Sequence, residues 1–334
     1  MKQMLRMAAV CIGLLLVIAL PVSAAEYGAP EITPKTTMKQ LRENPSIKGS
    51  GLYTYVYIWE RDCDLLRHSK DNDTMEQVIG TESVNSCVAG MNYLIETYNA
   101  GTQITYKLFS PEEIAQDASR DRAELYYFPA EQPGAKYAVV LSGNALFYSG
   151  EMRGGVSTAW ELHQQGYAVF ALRYRIGLDA TDNAPLEDLG RAIQFITANA
   201  QQFGVQTEDY ALVGYSSGGQ IAGIFGGKEL GYPNYGVPKP GALLLAYPIN
   251  NFYETKPLYH VLLDTDALER RYYDYNISDC VDADYPPTYF WYGQDDILLI
   301  AFNYWQQGPA LRKALESQAC AEGGFPVTWY AGEE

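Results

Sequence analysis

Short apolar runs alternate with amphipathic runs along the chain from Gly101 onward. The apolar runs have the length of buried strands and end in small or polar residues. They are KYAVVLSGNA (136–145), YAVFALRYR (167–175), DYALVGY (209–215), GALLLAYP (241–248) and TYFWYG (288–293). Between them, runs such as residues 184–203 place apolar side chains at helical spacing. Because strands that are apolar throughout alternate with helices, the pattern predicts an α/β fold, with a mostly parallel sheet and helices on both faces.

The same pattern predicts the domain organisation. Residues 101–334 should form the α/β domain, with a last strand at 325–331. The irregular, tyrosine-rich stretch 250–285 is interpreted as a lid insertion. Residues 25–100 are predicted to be an N-terminal extension that packs on this domain, since apolar side chains recur at helical spacing over residues 84–98.

The first 24 residues have the features of a secretory signal peptide. Lys2 and Arg6 precede an apolar run over residues 7–20, and the small residues of PVSAAE offer a cleavage site near Ala24. The run is shorter than the ~20 residues of a membrane-spanning helix. We therefore expect a secreted or periplasmic protein without stable membrane insertion, and an uncleaved anchor is the alternative.

Composition and charge limit the classes of partner. With 47% hydrophobic and 19% charged residues, the chain is neither disordered nor fibrous in composition. Removing the signal leaves 24 − 2 = 22 basic residues against 40 acidic ones, a net charge of −18. This charge makes nucleic acid an unexpected partner, and it does not indicate an oligomeric state.

Four cysteines remain after the signal: Cys63, Cys87, Cys280 and Cys320. An even number in an exported chain suggests two disulfides. Three connectivities are open, of which Cys63–Cys87 and Cys280–Cys320 close local loops and are preferred; four buried thiols are the alternative. The sequence has no C-x-x-C pair and no His–Cys cluster, so we expect neither a metal site nor a cofactor.

The strongest chemical motif is YALVGYSSGGQ, residues 210–220. It contains G-x-S-x-G between an apolar strand and a helix, the setting in which a serine is exposed as a nucleophile on a tight turn. Ser216 has glycine two residues away on both sides, Gly214 and Gly218, whereas Ser217 does not. We therefore predict Ser216 as the nucleophile and the Ser217 amide, at the helix N-terminus, as an oxyanion donor. An ordinary strand-to-helix turn is the alternative.

Around this motif, the chain resembles the esterase/lipase-like branch of the α/β-hydrolase fold, which includes acetyl-xylan and feruloyl esterases and carboxylesterases. The matching segments follow the family order over residues 135–334: AVVLSGNALFYSG, GYAVFALRYR, APLEDLGRAIQFI, VGYSSGG, LLAYPI and PPTYFWYGQDD. The resemblance implies a serine hydrolase that acts through an acyl-enzyme.

The resemblance also assigns further site residues. Where the family has consecutive glycines after the oxyanion strand, this chain has Ser142-Gly143-Asn144-Ala145, so Gly143 and Asn144 are the expected oxyanion donors together with Ser217. The family spacing places the triad acid at Asp296, with Asp295 as the runner-up. One of these aspartates is expected to cap the helix that follows.

The general base is the departure from the family pattern. In this fold the histidine follows the acid along the chain, yet His68, His163 and His260 all precede Asp296. His68 and His163 are expected to face solvent. We expect a catalytic histidine a few residues beyond Glu334; a base from elsewhere, such as His260, is one alternative, and an inactive fold that binds ligand or carbohydrate is another.

Together, these features predict a secreted serine hydrolase, most simply a carboxylesterase acting on small-molecule or carbohydrate-linked esters. A serine peptidase of the same fold is the alternative within this class. The residues do not specify the acyl group or the alcohol of the substrate.

Overall fold

The structure is a computed structural model. In the part of the chain that it describes, eight strands form one sheet. That part comprises residues 32–52, 54, 69–144, 150–251, 274–293, 306–322 and 329–332. The strands are β1 Thr105–Lys107, β2 Glu124–Phe128, β3 Tyr137–Leu141, β4 Ala168–Arg173, β5 Ala211–Tyr215, β6 Ala242–Ala246, β7 Thr288–Gly293 and β8 Trp329–Gly332.

The strand order is β1-β2-β4-β3-β5-β6-β7-β8. β2 pairs antiparallel with β1 and with β4, and the other neighbours, from β4 to β8, pair in parallel. The predicted mostly parallel sheet is confirmed. Since parallel strands end at a common edge, the residues that follow β3, β5, β6 and β7 meet there.

Helices precede the sheet and connect its strands. They are α1 Met38–Glu43, α2 Pro45–Ser50, α3 Met75–Ile79, α4 Val84–Asn99, α5 Pro111–Gln116, α6 Ser157–Gln164, α7 Ala184–Ala198, α8 Ala200–Phe203, α9 Ser217–Phe225, α10 Ile277–Cys280 and α11 Gln307–Glu322. A π-helical turn, Glu151–Val156, leads directly into α6. α7 carries Pro185 in its first turn, where no intrahelical amide is needed, and buries the predicted face of Leu186, Leu189, Ile193 and Ile196.

The sheet separates two hydrophobic cores. Tyr137, Val139 and Leu141 of β3 point into the first core, while Ala138 and Val140 point into the second, as strand alternation requires. The first core is closed by apolar side chains of α7 to α11, and the second by those of α1 to α4 and α6. Helices therefore cover both faces, as predicted.

In the connection from β6 to β7, the chain returns at Ile277 to the residues that follow β6. The Ile277 N–H donates to the Asn250 carbonyl at 2.9 Å. Gln307, at the start of α11, accepts through Oε1 from the Asn250 and Asn251 N–H groups at 2.6 and 2.9 Å. These bonds fix Asn250, Asn251 and Ile277 within the segment 250–285 that is interpreted as a lid, of which residues 252–273 lie outside the described part.

Two cysteines can be compared with the predicted disulfides. Cys87 in α4 and Cys280 in α10 are buried free thiols, so the pairs Cys63–Cys87 and Cys280–Cys320 are not formed in this structure. Each thiol lies in an apolar core, where a free cysteine packs as a small hydrophobic side chain. Cys63 and the Cys320 side chain lie outside what the structure describes.

The predictions for the two chain termini concern residues of which the structure describes only a part. The predicted signal sequence, residues 1–24, lies outside the described ranges. Of the predicted last strand at 325–331, residues 329–331 are described, as part of β8. In the described ranges, no helix combines the length and the apolar character needed to cross a membrane.

Candidate active site

Ser216 occupies a strained turn between β5 and α9. Its backbone angles are φ +49° and ψ −115°, a region that L-residues rarely adopt. The turn is held on both sides, because the Ser216 N–H donates to the Ala246 carbonyl at 2.9 Å and its carbonyl accepts from Gln220 and Ile249 at 3.0 and 3.1 Å. Strain that is fixed in this way is typical of a functional side chain presented by its backbone.

Gly214 and Gly218 flank Ser216 because neither position has room for a side chain. A Cβ at Gly214 would lie 2.5 Å from the Gly218 carbonyl oxygen, and one at Gly218 would collide with the carbonyl oxygens of Leu141 and Ser142. The glycines thus bring β5, α9 and the end of β3 into contact around Ser216.

Gly143 lies beside Ser216 in the loop that follows β3. A Cβ at position 143 would be 3.0 Å from the Ser216 Cβ. Gly143 and Ser216 are both partly exposed, whereas Ser142, Asn144 and Ser217 around them are buried. The accessible surface of the site therefore combines the candidate nucleophile with the backbone of Gly143.

The geometry distinguishes among the three predicted oxyanion donors. Ser217 is the first residue of α9, where an amide has no acceptor within the helix. The Asn144 N–H instead donates to the Ser217 Oγ at 3.1 Å. Contrary to the prediction for Asn144, this bond favours Gly143 and Ser217 as the donors.

His163 lies in the core and not on the surface, so its predicted exposure is wrong. Its ring is 4.3 Å from that of Tyr93 and 5.6 Å from that of Trp160, measured between centroids, and burial lowers its pKa. It lies in the last turn of α6, which ends at Gln164. Burial among these aromatic rings indicates a structural role for His163 in the core.

Two buried polar clusters lie near the edge of the sheet at which β4 and β5 end, which is also the edge of the Ser216 turn. Arg175, just past β4, binds Asp188 of α7 through its guanidinium. On the other face of the sheet, Arg173 donates to Glu124 at 3.1 Å. Burial raises the pKa of the neighbouring Glu151 carboxyl to about 7, although the positive charge of Arg173 acts to lower it. These clusters fix β4, α7 and the π-helical turn.

The part of the chain that contains this site is similar to known proteins. The family model BD-FAE matches residues 124–231, which contain the Ser216 turn and the loop after β3. A solved acetyl ester-xyloside bifunctional hydrolase from Caldicellulosiruptor lactoaceticus superimposes with a TM-score of 0.53 at 16% identity, covering 69% of this chain and 86% of the other. The chain has the α/β-hydrolase fold.

Two further proteins are similar to this chain. Esterase B from Lactobacillus rhamnosis has a TM-score of 0.51 at 17% identity, with 73% of this chain and 84% of the other covered. Endo-1,4-beta-xylanase B from Butyrivibrio fibrisolvens is 23% identical over 192 residues, 54% of this chain. That match spans 29% of the length of the xylanase.

In an α/β-hydrolase, the acid and the base follow strands that end at the same edge as the nucleophile strand. β7 ends at Gly293, which pairs in parallel with Gly332 of β8. The predicted acid Asp296 and its runner-up Asp295 come directly after β7, and both lie outside the described residues. His68 and His260 lie outside them as well.

Two buried carboxylates near this site, Asp188 and Glu151, are not among the residues that the sequence predicts for it. Asp188 gave a signal, since it is a charged residue between the core positions Leu186 and Leu189 of an amphipathic helix. A charge on the apolar face of a helix indicates a buried partner, which the structure identifies as Arg175. Glu151 gave no comparable signal, because the π-helical turn that buries it has no clear sequence pattern.

Proposed function

We propose that this protein is a serine esterase in which Ser216 is the nucleophile. The observation that carries the proposal is the strained Ser216 turn, partly exposed beside Gly143 at the start of α9. A serine on such a turn meets a substrate carbonyl from one side while backbone amides approach the developing oxyanion from the other.

In the proposed reaction, the Ser216 Oγ attacks the acyl carbon as its proton passes to a general base. The Gly143 and Ser217 amides stabilise the oxyanion, and collapse of the tetrahedral intermediate releases the alcohol, which takes the proton from the base. Water, activated by the same base, then hydrolyses the acyl-enzyme and restores Ser216.

Asp296 is proposed to orient a histidine as that base. The directions of β7 and β8 support a position for the histidine in the loop that follows β8, because this loop starts at the same edge as Ser216. The three histidines of this sequence, His68, His163 and His260, all precede Asp296 along the chain.

Carbohydrate-linked esters are the proposed substrates. Support comes from the descriptions of similar proteins, which name an acetyl ester-xyloside hydrolase, a carbohydrate esterase and a xylanase. We also propose that the protein is exported, since residues 1–24 have the pattern of a cleaved signal peptide.

The test is Ser216→Ala in the full-length protein expressed from its own gene. We expect the unsubstituted protein to hydrolyse p-nitrophenyl acetate and to react with a fluorophosphonate probe, and the variant to do neither. A folded protein that resists the probe, or activity that persists in the variant, would contradict the proposal. Faster cleavage of aryl amides than of aryl esters would indicate a peptidase.

A further inference from the structure

Four polar residues are buried together behind the Ser216 turn. Ser142, Asn144, Tyr174 and Ser217 each have 0% of their surface exposed. Ser142 and Asn144 flank Gly143 in the loop after β3, Tyr174 follows β4, and Ser217 starts α9. The cluster therefore links three separate segments of the chain at the candidate site.

The hydroxyl of Ser217 forms a reciprocal pair with Asn144. The Asn144 backbone N–H donates to the Ser217 Oγ at 3.1 Å, and the Ser217 Oγ–H donates to the Asn144 Oδ1 at 2.9 Å. A serine has one proton to donate, so these two bonds use the donor and one acceptor site of Ser217. The pair closes a ring between the loop and the first turn of α9.

Tyr174 holds the other side of the loop. Its hydroxyl donates to the Ser142 carbonyl at 2.7 Å and lies 3.4 Å from the Ser217 Oγ. Since the single protons of Tyr174 and Ser217 are both directed elsewhere, the longer contact adds no further hydrogen bond. Gly143 is therefore fixed between two neighbours, one bound to Tyr174 and the other to Ser217.

We propose that Ser217 is a positioning residue, whose hydroxyl holds the Gly143 amide in place for the oxyanion. The proposal rests on the proposed esterase function and adds to it a role for the second serine of the motif. The backbone of Ser217 provides one oxyanion donor, and its side chain positions the loop that provides the other. Donors fixed before the reaction need no rearrangement as charge develops.

The test is Ser217→Ala, which keeps the backbone amide and removes the hydroxyl. We expect kcat for p-nitrophenyl acetate and the rate of fluorophosphonate labelling to fall by about 10- to 100-fold, as for a misplaced oxyanion donor, while KM changes by less than about threefold. Asn144→Ala should give a similar loss, and the double variant should lose little more, because both substitutions break the same ring.

Ser157→Ala is the matched control. Ser157 is also a buried serine at the first residue of a helix, α6, and its hydroxyl donates to the Arg153 carbonyl. Loss of the Ser157 hydroxyl from α6 should change kcat by less than about twofold. Circular dichroism melting of every variant shows that each is folded at the assay temperature.

Different results separate the two proposals. Activity in Ser217→Ala and Asn144→Ala equal to that of the control variant overturns the positioning role and leaves the esterase function standing. A rise in KM alone, or loss of folding in both variants, also overturns it, since the hydroxyl would then serve binding or stability. Absence of Ser216-dependent turnover in the unsubstituted protein overturns the esterase function, and the positioning role with it.

Discussion

Asp188 binds Arg175 through both the side chain and the backbone of the arginine. The Arg175 Nε donates to Oδ1 at 2.9 Å, and the Arg175 N–H donates to Oδ2 at 2.8 Å. Asp188 is fully buried in α7, and the arginine comes just after β4. The pair therefore sets where α7 meets the end of β4.

Removing the charge of Asp188 should destabilise the fold. Asp188→Asn leaves the buried Arg175 with two more exposed carboxylates, Glu187 at 2.6 Å and Asp117 at 3.6 Å. We expect the free energy of unfolding to fall by about 3 kcal/mol, the lower end for a broken buried ion pair. Urea denaturation measures this value. The control is Asp117→Asn, which removes a more exposed carboxylate 3.6 Å from the same guanidinium and should cost less than about 1 kcal/mol. Equal costs for the two variants would contradict the prediction.

A side chain at position 143 should reduce activity more than stability. In Gly143→Ala, the added Cβ would lie 3.0 Å from both the Ser216 Cβ and the Tyr215 carbonyl oxygen, so the loop must shift away from Ser216. We expect kcat/KM for p-nitrophenyl acetate to fall by about 100-fold. Gly155→Ala is the control, since its Cβ would make ordinary contacts at 3.6 and 3.8 Å. Full activity in Gly143→Ala would show that this loop does not contribute to catalysis.

Glu151 should make the fold less stable as pH rises. Burial raises the pKa of its carboxyl from 4.5 to about 7 in the folded protein. Between these values the unfolded chain has lost the proton that the folded protein retains, so stability falls as pH increases through this window. Glu151→Gln removes this dependence and should stabilise the fold above pH 7, by an amount on the order of 3 kcal/mol.

Urea midpoints at pH 5 and pH 8 test the role of Glu151. The stability lost between these pH values should be smaller in Glu151→Gln than in the unsubstituted protein. Glu208→Gln, at an exposed glutamate in the loop before β5, should leave the loss unchanged. The same loss in all three proteins would mean that Glu151 does not titrate in this window.

The buried thiols should resist alkylation while the protein is folded. Burial raises the pKa of Cys87 and that of Cys280 to about 12, so little of the reactive thiolate forms at pH 8. With iodoacetamide and mass spectrometry, we expect both residues to stay unmodified in the native protein and to react after denaturation without a reductant. If they fail to react after denaturation, they are in disulfides, as the sequence first suggested.

The sequence predicts those features whose signals are local. β3, β5 and the turn at Ser216 follow from neighbouring residues, because an apolar run, a glycine pair and a helix start lie within one short stretch. α7 is predictable for the same reason, since its buried face repeats within a single helix.

Features that depend on distant segments could not be predicted. His163 is buried because Tyr93 of α4 packs on its ring, and nothing near position 163 specifies that contact. Asn144 and Ser217 form their pair across 73 residues of sequence. The even number of cysteines suggested disulfides, yet the core around Cys87 is supplied by other helices and by the sheet.

The hydrogen bond from Ile277 to Asn250 makes the chain between these residues a module that can vary independently. Because both ends are fixed at one point of the fold, a change in the length of the intervening segment is not transmitted to β6 or β7. Doubling the length of such a loop costs only about 0.6 kcal/mol of closure entropy. Evolution or protein engineering can therefore change the length of this segment while the sheet and the Ser216 turn remain as they are.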